Sequence, residues 1–248
     1  VTDLVLSLFP GIGLLDMAFE EEGFCVVRGP DLLWGGDIKS FHPPAGVFDG
    51  VIGGPPCQAH SRLRYIVEHN GYKIAEDLIP EFERCVAEAQ PEWFLMEMVP
   101  DGPVARVDGY EVDAQLLRDV WAGGLTQRLR RFSFGTRDGM RLALDTLALH
   151  PQGEVSALAA GGMRERPVAV GGSGKRKDRG RLNNRGYLSA RTLADHSRLQ
   201  GLPDGFLDDA PFTVAGKINA IGNGVPLPMG RAVAKAVRRA ISTDARAA

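Results

Sequence analysis

Apolar residues along this chain come in two rhythms. DLVLSLF, residues 3–9, is a short and almost unbroken apolar run, followed by PGIG and then LLDMAFEEEGF, where Leu14, Leu15, Ala18 and Phe19 share one helical face. CVV, after Gly23 and Phe24, and VFDGVIGG, residues 47–54, read as further buried strands. KIAEDLIPEFERCVAEAQ, residues 73–90, has helical character, with Pro80 either kinking it or sitting at a helix start; Pro91 ends it and WFLMEMV follows as a strand. VDAQLLRDVWAGG, residues 112–124, predicts another helix closed by a glycine pair, and RRFSFGT, residues 130–136, a strand that runs antiparallel at the sheet edge. Strands that alternate with helices in this way predict an α/β fold with a mostly parallel sheet.

The character changes near residue 140. Gly153, Gly161, Gly162, Gly171, Gly172 and Gly174 punctuate short apolar pieces, which predicts a small loop-rich addition rather than a second large domain. RTLADHSRLQGLPDGF resumes an amphipathic pattern, and PLPMGRAVAKAVRRAI predicts a helix near the C-terminus, with STDARAA fraying beyond it. The expected division is a catalytic and cofactor-binding domain over 1–139, an insertion over 140–187, and a segment over 188–248 that completes the first domain.

A chain of 248 residues buries enough surface for a core without staples. Its three cysteines, Cys25, Cys57 and Cys85, are too few and too scattered for a disulfide framework or a four-thiolate zinc site, so no metal is expected and a reducing, cytoplasmic setting is. No stretch approaches the roughly 20 apolar residues that cross a bilayer, and the opening VTDLVLSLFPG lacks the charged-then-apolar layout of a signal peptide. The net charge of −2 carries no global argument for a polyanionic partner, but its distribution is uneven. GGSGKRKDRGRLNNRG, residues 171–186, holds six Lys or Arg against one Asp, and Arg231, Lys235, Arg238 and Arg239 follow in the last helix. Such local asymmetry suits a phosphate-facing patch, with a solvated loop and tail as the alternative.

Three stretches carry candidate chemistry. FPGIG, residues 9–13, puts small residues where a strand turns into a helix, so a cofactor can approach bare backbone and the donors of a helix N-terminus. Asp31, eighteen residues beyond Gly13, has the place of an acid that accepts ribose hydroxyls, and Asp37 offers a second acceptor, for an adenine amine or the ribose. The three-glycine order of a dinucleotide site is absent, which favours an adenosyl group over nicotinamide. In VIGGPPCQAHSRLRY, Cys57 follows two prolines at the end of an apolar run. A buried small hydrophobe, a metal ligand and a nucleophile are the three readings, and a thiolate nucleophile suits a cysteine just past a strand beside polar residues. Cys25 and Cys85 lie in apolar patterns and are expected in the core.

Several motifs in order resemble the cytosine-C5 DNA methyltransferase family over nearly the whole chain. FPGIGLLDMAFEEEGF resembles its S-adenosylmethionine-binding opening, GGPPCQ its catalytic loop, and FLMEMVP its Glu-Asn-Val motif. TQRLRRFSFG resembles its arginine-bearing strand, and SRLQGLPDGF and INAIGNGVPLPMGRAV its two closing motifs. The resemblance implies a Rossmann-like methyltransferase fold with a mixed, mostly parallel sheet and a small target-recognition insertion. It implies S-adenosyl-L-methionine as cofactor, held by Phe9, Gly11, Ile12, Asp31, Asp37, Ile38, Gly54, Pro56, Asn223 and Val225.

By the same resemblance Cys57 attacks C6 of a cytosine flipped out of the duplex, C5 takes the methyl group, and Glu97 holds the N3 edge. Arg128 would reach the O2 edge of the base and Arg130 support the site; pairing of Arg130 with a structural carboxylate is the alternative. Gln58 and Ser61 would touch the backbone beside the flipped nucleotide. Lys175, Arg176, Lys177, Arg179 and Arg181 would follow phosphates, with Asn183 and Asn184 candidates for base contacts. The expected partner is double-stranded DNA, with a cognate restriction enzyme as a further one, no membrane, and a monomeric chain. Methylation of a tRNA cytosine and a DNA-binding homologue without turnover are the alternatives. The chain departs from the family pattern at Met98, where Asn is usual, at Thr126, where Gln is usual, and in the short span from Asp31 to Asp37; a supporting role for Arg191 is a weaker carry-over.

Overall fold

The computed structural model describes residues 3–56, 76–147 and 192–242. Among these, six strands form one sheet: β1 (Leu4–Leu8), β2 (Cys25–Arg28), β3 (Gly50–Gly53), β4 (Trp93–Met98), β5 (Glu111–Arg118) and β6 (Leu129–Thr136). Their order is β2-β1-β3-β4-β6-β5, with the first four parallel and β6 antiparallel to both of its neighbours. The helices are α1 (Leu14–Glu21), α2 (Ile79–Ala89), α3 (Leu193–Leu199), α4 (Val214–Asn223) and α5 (Leu227–Ile241). This is the mixed, mostly parallel sheet flanked by helices of a Rossmann-like methyltransferase fold.

The near-continuous apolar runs are explained by burial on both faces of the sheet. Alternate side chains supply two cores. Val5, Ile52, Trp93, Leu95, Phe132 and Phe134 pack under α1 and α5, while Leu6, Leu8, Val51, Phe94, Met96 and Met98 pack under α2 through Phe82, Cys85, Val86 and Ala89. Each large apolar side chain so enclosed contributes about 1.5–3 kcal/mol of transfer free energy. Pro80 lies in the first turn of α2, where its missing N–H leaves no intrahelical bond unmade. Gly50 has no room for a side chain, because a Cβ there would lie 2.2 Å from the Trp93 ring.

Four expectations are corrected. Residues 112–124 do not form a helix: β5 pairs with β6 from Glu111↔Thr136 to Arg118↔Leu129, and a short 3-10 turn, Asp119–Ala122, follows. The helix-favouring Ala114, Gln115, Leu116 and Leu117 are overruled by this full-length pairing. β6 is consequently an interior strand and β5 takes the edge. Cys25 is exposed rather than in the core, because β2 is the other edge; Cys85 is buried, and burial pushes its thiol up to about 11. The cations of α5 are each engaged with carboxylates: Arg231 with Glu21, Arg238 with Asp3, and Lys235 and Arg239 with Asp145. They serve to tie α5 to its surroundings and form no free phosphate-facing patch.

Residues 140–147, the start of the expected insertion, lie against the sheet. The Leu142 N–H donates to Asp113 Oδ2 at 2.9 Å and Arg239 donates to the Ala143 carbonyl. Among the described residues no helix is long and apolar enough to cross a membrane.

Candidate active site

β1 has β2 on one side and β3 on the other, so crossovers leave in opposite directions and a crevice opens beyond the carboxyl ends of β1 and β3. A cavity of about 460 Å³ occupies it. Its walls come from the turn after β1 (Phe9, Gly11, Ile12), the segment after β3 (Gly54, Pro56), β4 (Glu97), β6 and the residue before it (Arg130, Arg128), and the end of α4 with the turn after it (Asn223, Val225). Segments more than two hundred residues apart therefore meet there, as the motif order implies.

The turn after β1 is held under strain. Phe9 has φ 55°, the left-handed region that a bulky side chain rarely adopts, at a cost of roughly 1–3 kcal/mol. Gly11, with φ 57°, meets nothing where a side chain would project. Asp31 latches this turn: Oδ2 accepts the Gly11 N–H at 2.8 Å and Oδ1 accepts the Leu33 N–H at 2.7 Å. Trp34 closes the latch by donating its Nε1–H to the Gly11 carbonyl at 2.7 Å, and its ring packs 5.4 Å from that of Phe212. Each Asp31 oxygen retains a second lone pair.

Asp16, on the buried face of α1, also lines the cavity. It accepts the Ser7 hydroxyl at 2.5 Å and pairs with Arg28 at 2.9 Å, yet burial holds its carboxyl above the usual range. Asp37 and Ile38 are not among the lining residues. Asp37 caps a 3-10 turn by accepting the Lys39 N–H, and Ile38 packs in the core under α2.

At the other end of the cavity, Glu97 and Arg130 form an ion pair, with Arg130 Nε 2.7 Å from Glu97 Oε1. Both are mostly buried, and a side chain on Gly54 would lie 3.1 Å from Glu97 Oε2, so the glycine just after β3 leaves that oxygen open to the cavity. The two arginines, both lining the cavity, have different partners. Arg130 is the one at Glu97, whereas Arg128 donates from Nη1 to the Gly222 carbonyl at 2.7 Å and ties β6 to the end of α4.

The two departures from the family pattern are locally satisfied. Met98 packs in the core on the side of the sheet opposite Glu97 and does not line the cavity. Thr126 donates its hydroxyl and its N–H to Asp119 Oδ2, at 2.7 and 2.9 Å. Cys57, Gln58, Ser61, Lys175, Arg176, Lys177, Arg179, Arg181, Asn183, Asn184 and Arg191 lie outside the described residues. Pro56, immediately before Cys57, lines the cavity.

Residues 35–101 match the family model for C-5 cytosine-specific DNA methylase, spanning the GGPPCQ and FLMEMVP stretches. Over that stretch the chain is similar to the cytosine-C5 DNA methylase family. It is similar to the type II methyltransferase M.NgoPII of Neisseria gonorrhoeae, 28% identical over 173 residues that cover 56% of this chain and 49% of that protein. M.FnuDI of Fusobacterium nucleatum is 29% identical over 174 residues, 56% of this chain and 48% of that one. The chain thus spans about half the length of these curated relatives.

Solved structures share the fold over nearly its whole length. A prophage-encoded E. coli protein assigned as a DNA modification methyltransferase superposes with a TM-score of 0.62 at 18% identity, covering 97% of this chain and 99% of that one. The Dnmt2 methyltransferase of S. pombe does so with a TM-score of 0.62 at 13% identity, covering 98% and 100%.

S-adenosyl-L-methionine is the cofactor of this family, and the cavity fits it. Gly13 begins α1 without a side-chain cap, leaving first-turn N–H groups as donors for a carboxylate. Gly11 supplies a bare approach, Asp31 an acceptor for a diol, and Phe9, Ile12, Leu33, Phe212 and Val225 apolar walls.

Sequence reasoning missed Asp16, Phe212 and Asn219 among the lining residues. Asp16 had a signal, a carboxylate set inside the apolar stripe of LLDMAF. Phe212 and Asn219 had none, since only the fold brings the segment before α4 and the middle of that helix across from Asp31.

Proposed function

We propose that this chain is an S-adenosylmethionine-dependent methyltransferase that modifies C5 of a nucleic-acid cytosine through a covalent Cys57–C6 adduct. The observation that carries the reading is the Glu97–Arg130 pair in the same cavity as the Gly11–Asp31 turn, at the mouth of the loop that leads into Cys57. A carboxylate and a guanidinium suit the polar edge of a cytosine, which would be flipped out of its stack to reach them.

The chemistry needs a nucleophile, because C5 of cytosine is a poor one. Thiolate attack by Cys57 at C6 pushes electron density toward N3 and C5, and Glu97 holds the N3 edge as that charge develops. Arg130 fixes the Glu97 carboxylate and keeps it directed at the base. Bound S-adenosyl-L-methionine supplies the methyl group, to C5. Loss of the C5 proton to a base and expulsion of the Cys57 thiolate by elimination then restore the aromatic ring. Arg128 takes no part at the base in this account and instead holds the cofactor end of the cavity.

Duplex DNA and tRNA are the two substrate classes. The resemblance to type II methyltransferases supports DNA, and the basic segment with Lys175, Arg176, Lys177, Arg179 and Arg181 suits the phosphates of either class. The fold shared with Dnmt2 chains supports a tRNA cytosine. The test is incubation with methyl-labelled cofactor and either mixed-sequence duplex DNA or bulk tRNA, followed by nucleoside mass spectrometry, with Cys57→Ala as control. Label in 5-methyldeoxycytidine that vanishes in the variant supports DNA, and label in 5-methylcytidine supports tRNA. Label in neither, from folded protein that binds the cofactor, overturns the reading.

A further inference from the structure

The end of α4 is unusual in how its carbonyls are satisfied. A helix leaves its last carbonyls without intrahelical partners, and roughly a third to a half of helices close them with a left-handed residue. Gly224 does not adopt that conformation (φ −70°, ψ 157°). Side chains from two distant segments donate instead. Gln200, just after α3, gives its Nε2 hydrogens to the carbonyls of Ile221 at 2.7 Å and Gly224 at 3.0 Å, and Arg128 donates to that of Gly222 at 2.7 Å. Three of four successive carbonyls are thus held from outside the helix. The Gln200 carbonyl also accepts the Leu227 N–H at 2.9 Å, which fixes the other end of the same turn.

This turn forms one wall of the cavity, through Asn223, Gly224 and Val225. Its opposite side presses on α1, where a side chain at Gly224 would come within 2.6 Å of Leu14 Cδ1. The turn therefore sits between α1 and the Gln200–Arg128 clamp. Gln200 is fully buried but does not line the cavity, and its Oε1 has no hydrogen-bond partner among the described residues. An apolar side chain of the same size would fill that volume without a stranded acceptor. The amide is explained by its two donors.

We infer that Gln200 is a positioning residue for the cofactor: it holds the Asn223–Val225 turn in the shape that completes the S-adenosylmethionine cavity. The inference rests on the cofactor reading given above. Without the two donated hydrogens the Gly224 carbonyl loses its side-chain donor and the Ile221 carbonyl keeps only the 3.2 Å bond from the Gly224 N–H, so the turn is released from α3 and is free to shift. Cofactor contacts would be lost, while Glu97 and Arg130 on the sheet would stay in place.

The test compares the full chain with Gln200→Met, which keeps the length and removes both donors. Isothermal titration with S-adenosylmethionine should give a Kd about tenfold weaker in the variant, the scale of one or two hydrogen bonds. The KM for cofactor should rise in parallel, with kcat at saturating cofactor and KM for nucleic acid within about twofold of the parent, a split that a general loss of packing does not produce. Equal Kd values with only a lower melting temperature would overturn the inference. Failure of the parent chain itself to bind would instead overturn the cofactor reading. If the variant does not fold, amide exchange in the parent decides. The N–H groups of Gly222–Val225 should gain protection when cofactor binds, and unchanged exchange there despite binding contradicts the positioning role.

Discussion

Replacing Arg130 with Met removes a cation from a mostly buried pair and leaves its partner in place. Arg130 and Glu97 are 16% and 11% exposed in their side chains, so water reaches neither freely. Stranding one member of a fully buried pair costs about 3–5 kcal/mol. Two features lower that figure here. The cavity admits some solvent, and Glu97 Oε1 receives no well-aligned hydrogen bond, so the 2.7 Å contact is chiefly Coulombic. The expected loss of stability is about 1.5–2 kcal/mol, near the value of a hydrogen bond to a charged group. Removing the carboxylate charge as well, in Glu97→Gln with Arg130→Met, should restore most of it. Urea unfolding of the parent, both single variants and the double variant should give a coupling energy of about 1–2 kcal/mol. Methyl transfer should fall roughly a hundredfold or more in each single variant and stay low in the double one, because a preorganised charge at the base has been lost. A coupling energy below about 0.3 kcal/mol, or Arg130→Met as active as the parent, would refute the view that Arg130 holds Glu97 for the reaction.

Asp31→Ala deprives the Gly11 and Leu33 N–H groups of their acceptor, so stability should drop by about 1–2 kcal/mol and cofactor affinity by tenfold or more; calorimetry showing unchanged affinity would contradict the latch. Asp119 carries a pH prediction. Burial raises its carboxyl above 3.8 despite the bonds from Thr126, so the folded chain keeps that proton to higher pH than the unfolded chain. The contribution is complete below about pH 3.8 and is lost as pH rises through the folded value. Asp119→Asn lacks it, so the unfolding free energy of the parent minus that of the variant should fall from pH 4 to pH 7 in urea titrations, and a rise in that difference contradicts the raised carboxyl.

The parallel half of the sheet was legible because both of its faces are buried, which writes continuous apolar runs such as LVLSL and WFLMEM into the chain. α1 and α5 were legible for the complementary reason, a single apolar stripe. The antiparallel end was not. β5 carries Ala114, Gln115, Leu116 and Leu117, which favour a helix in isolation, and the decisive term is eight residues of pairing with β6, which no local window contains. Cys25 was misplaced for a related reason, since an apolar strand does not announce whether another strand lies beyond it.

In the cavity, the glycine turn with Gly11 and the acid Asp31 were legible from position, and Phe9, Ile12, Gly54, Pro56 and Glu97 from the resemblance of their motifs; all of them line it. The division of labour between Arg128 and Arg130 was not. Two residues apart at the start of β6, they look alike in sequence, and only the approach of Gly222 to one and Glu97 to the other separates them. The same holds for Gln200, whose value depends on carbonyls twenty or more residues away.

The most direct test of covalent catalysis uses oligonucleotides, duplex DNA and tRNA stem-loops alike, in which cytosine carries fluorine at C5. After methyl transfer there is no C5 proton to remove, so elimination cannot release the thiol and the adduct persists. Intact-mass spectrometry with S-adenosylmethionine present should show the protein shifted by the mass of one oligonucleotide plus a methyl group, with no shift in Cys57→Ala. An adduct that survives the loss of Cys57, or methylated product from the unfluorinated substrate without any adduct on the fluorinated one, would contradict the account.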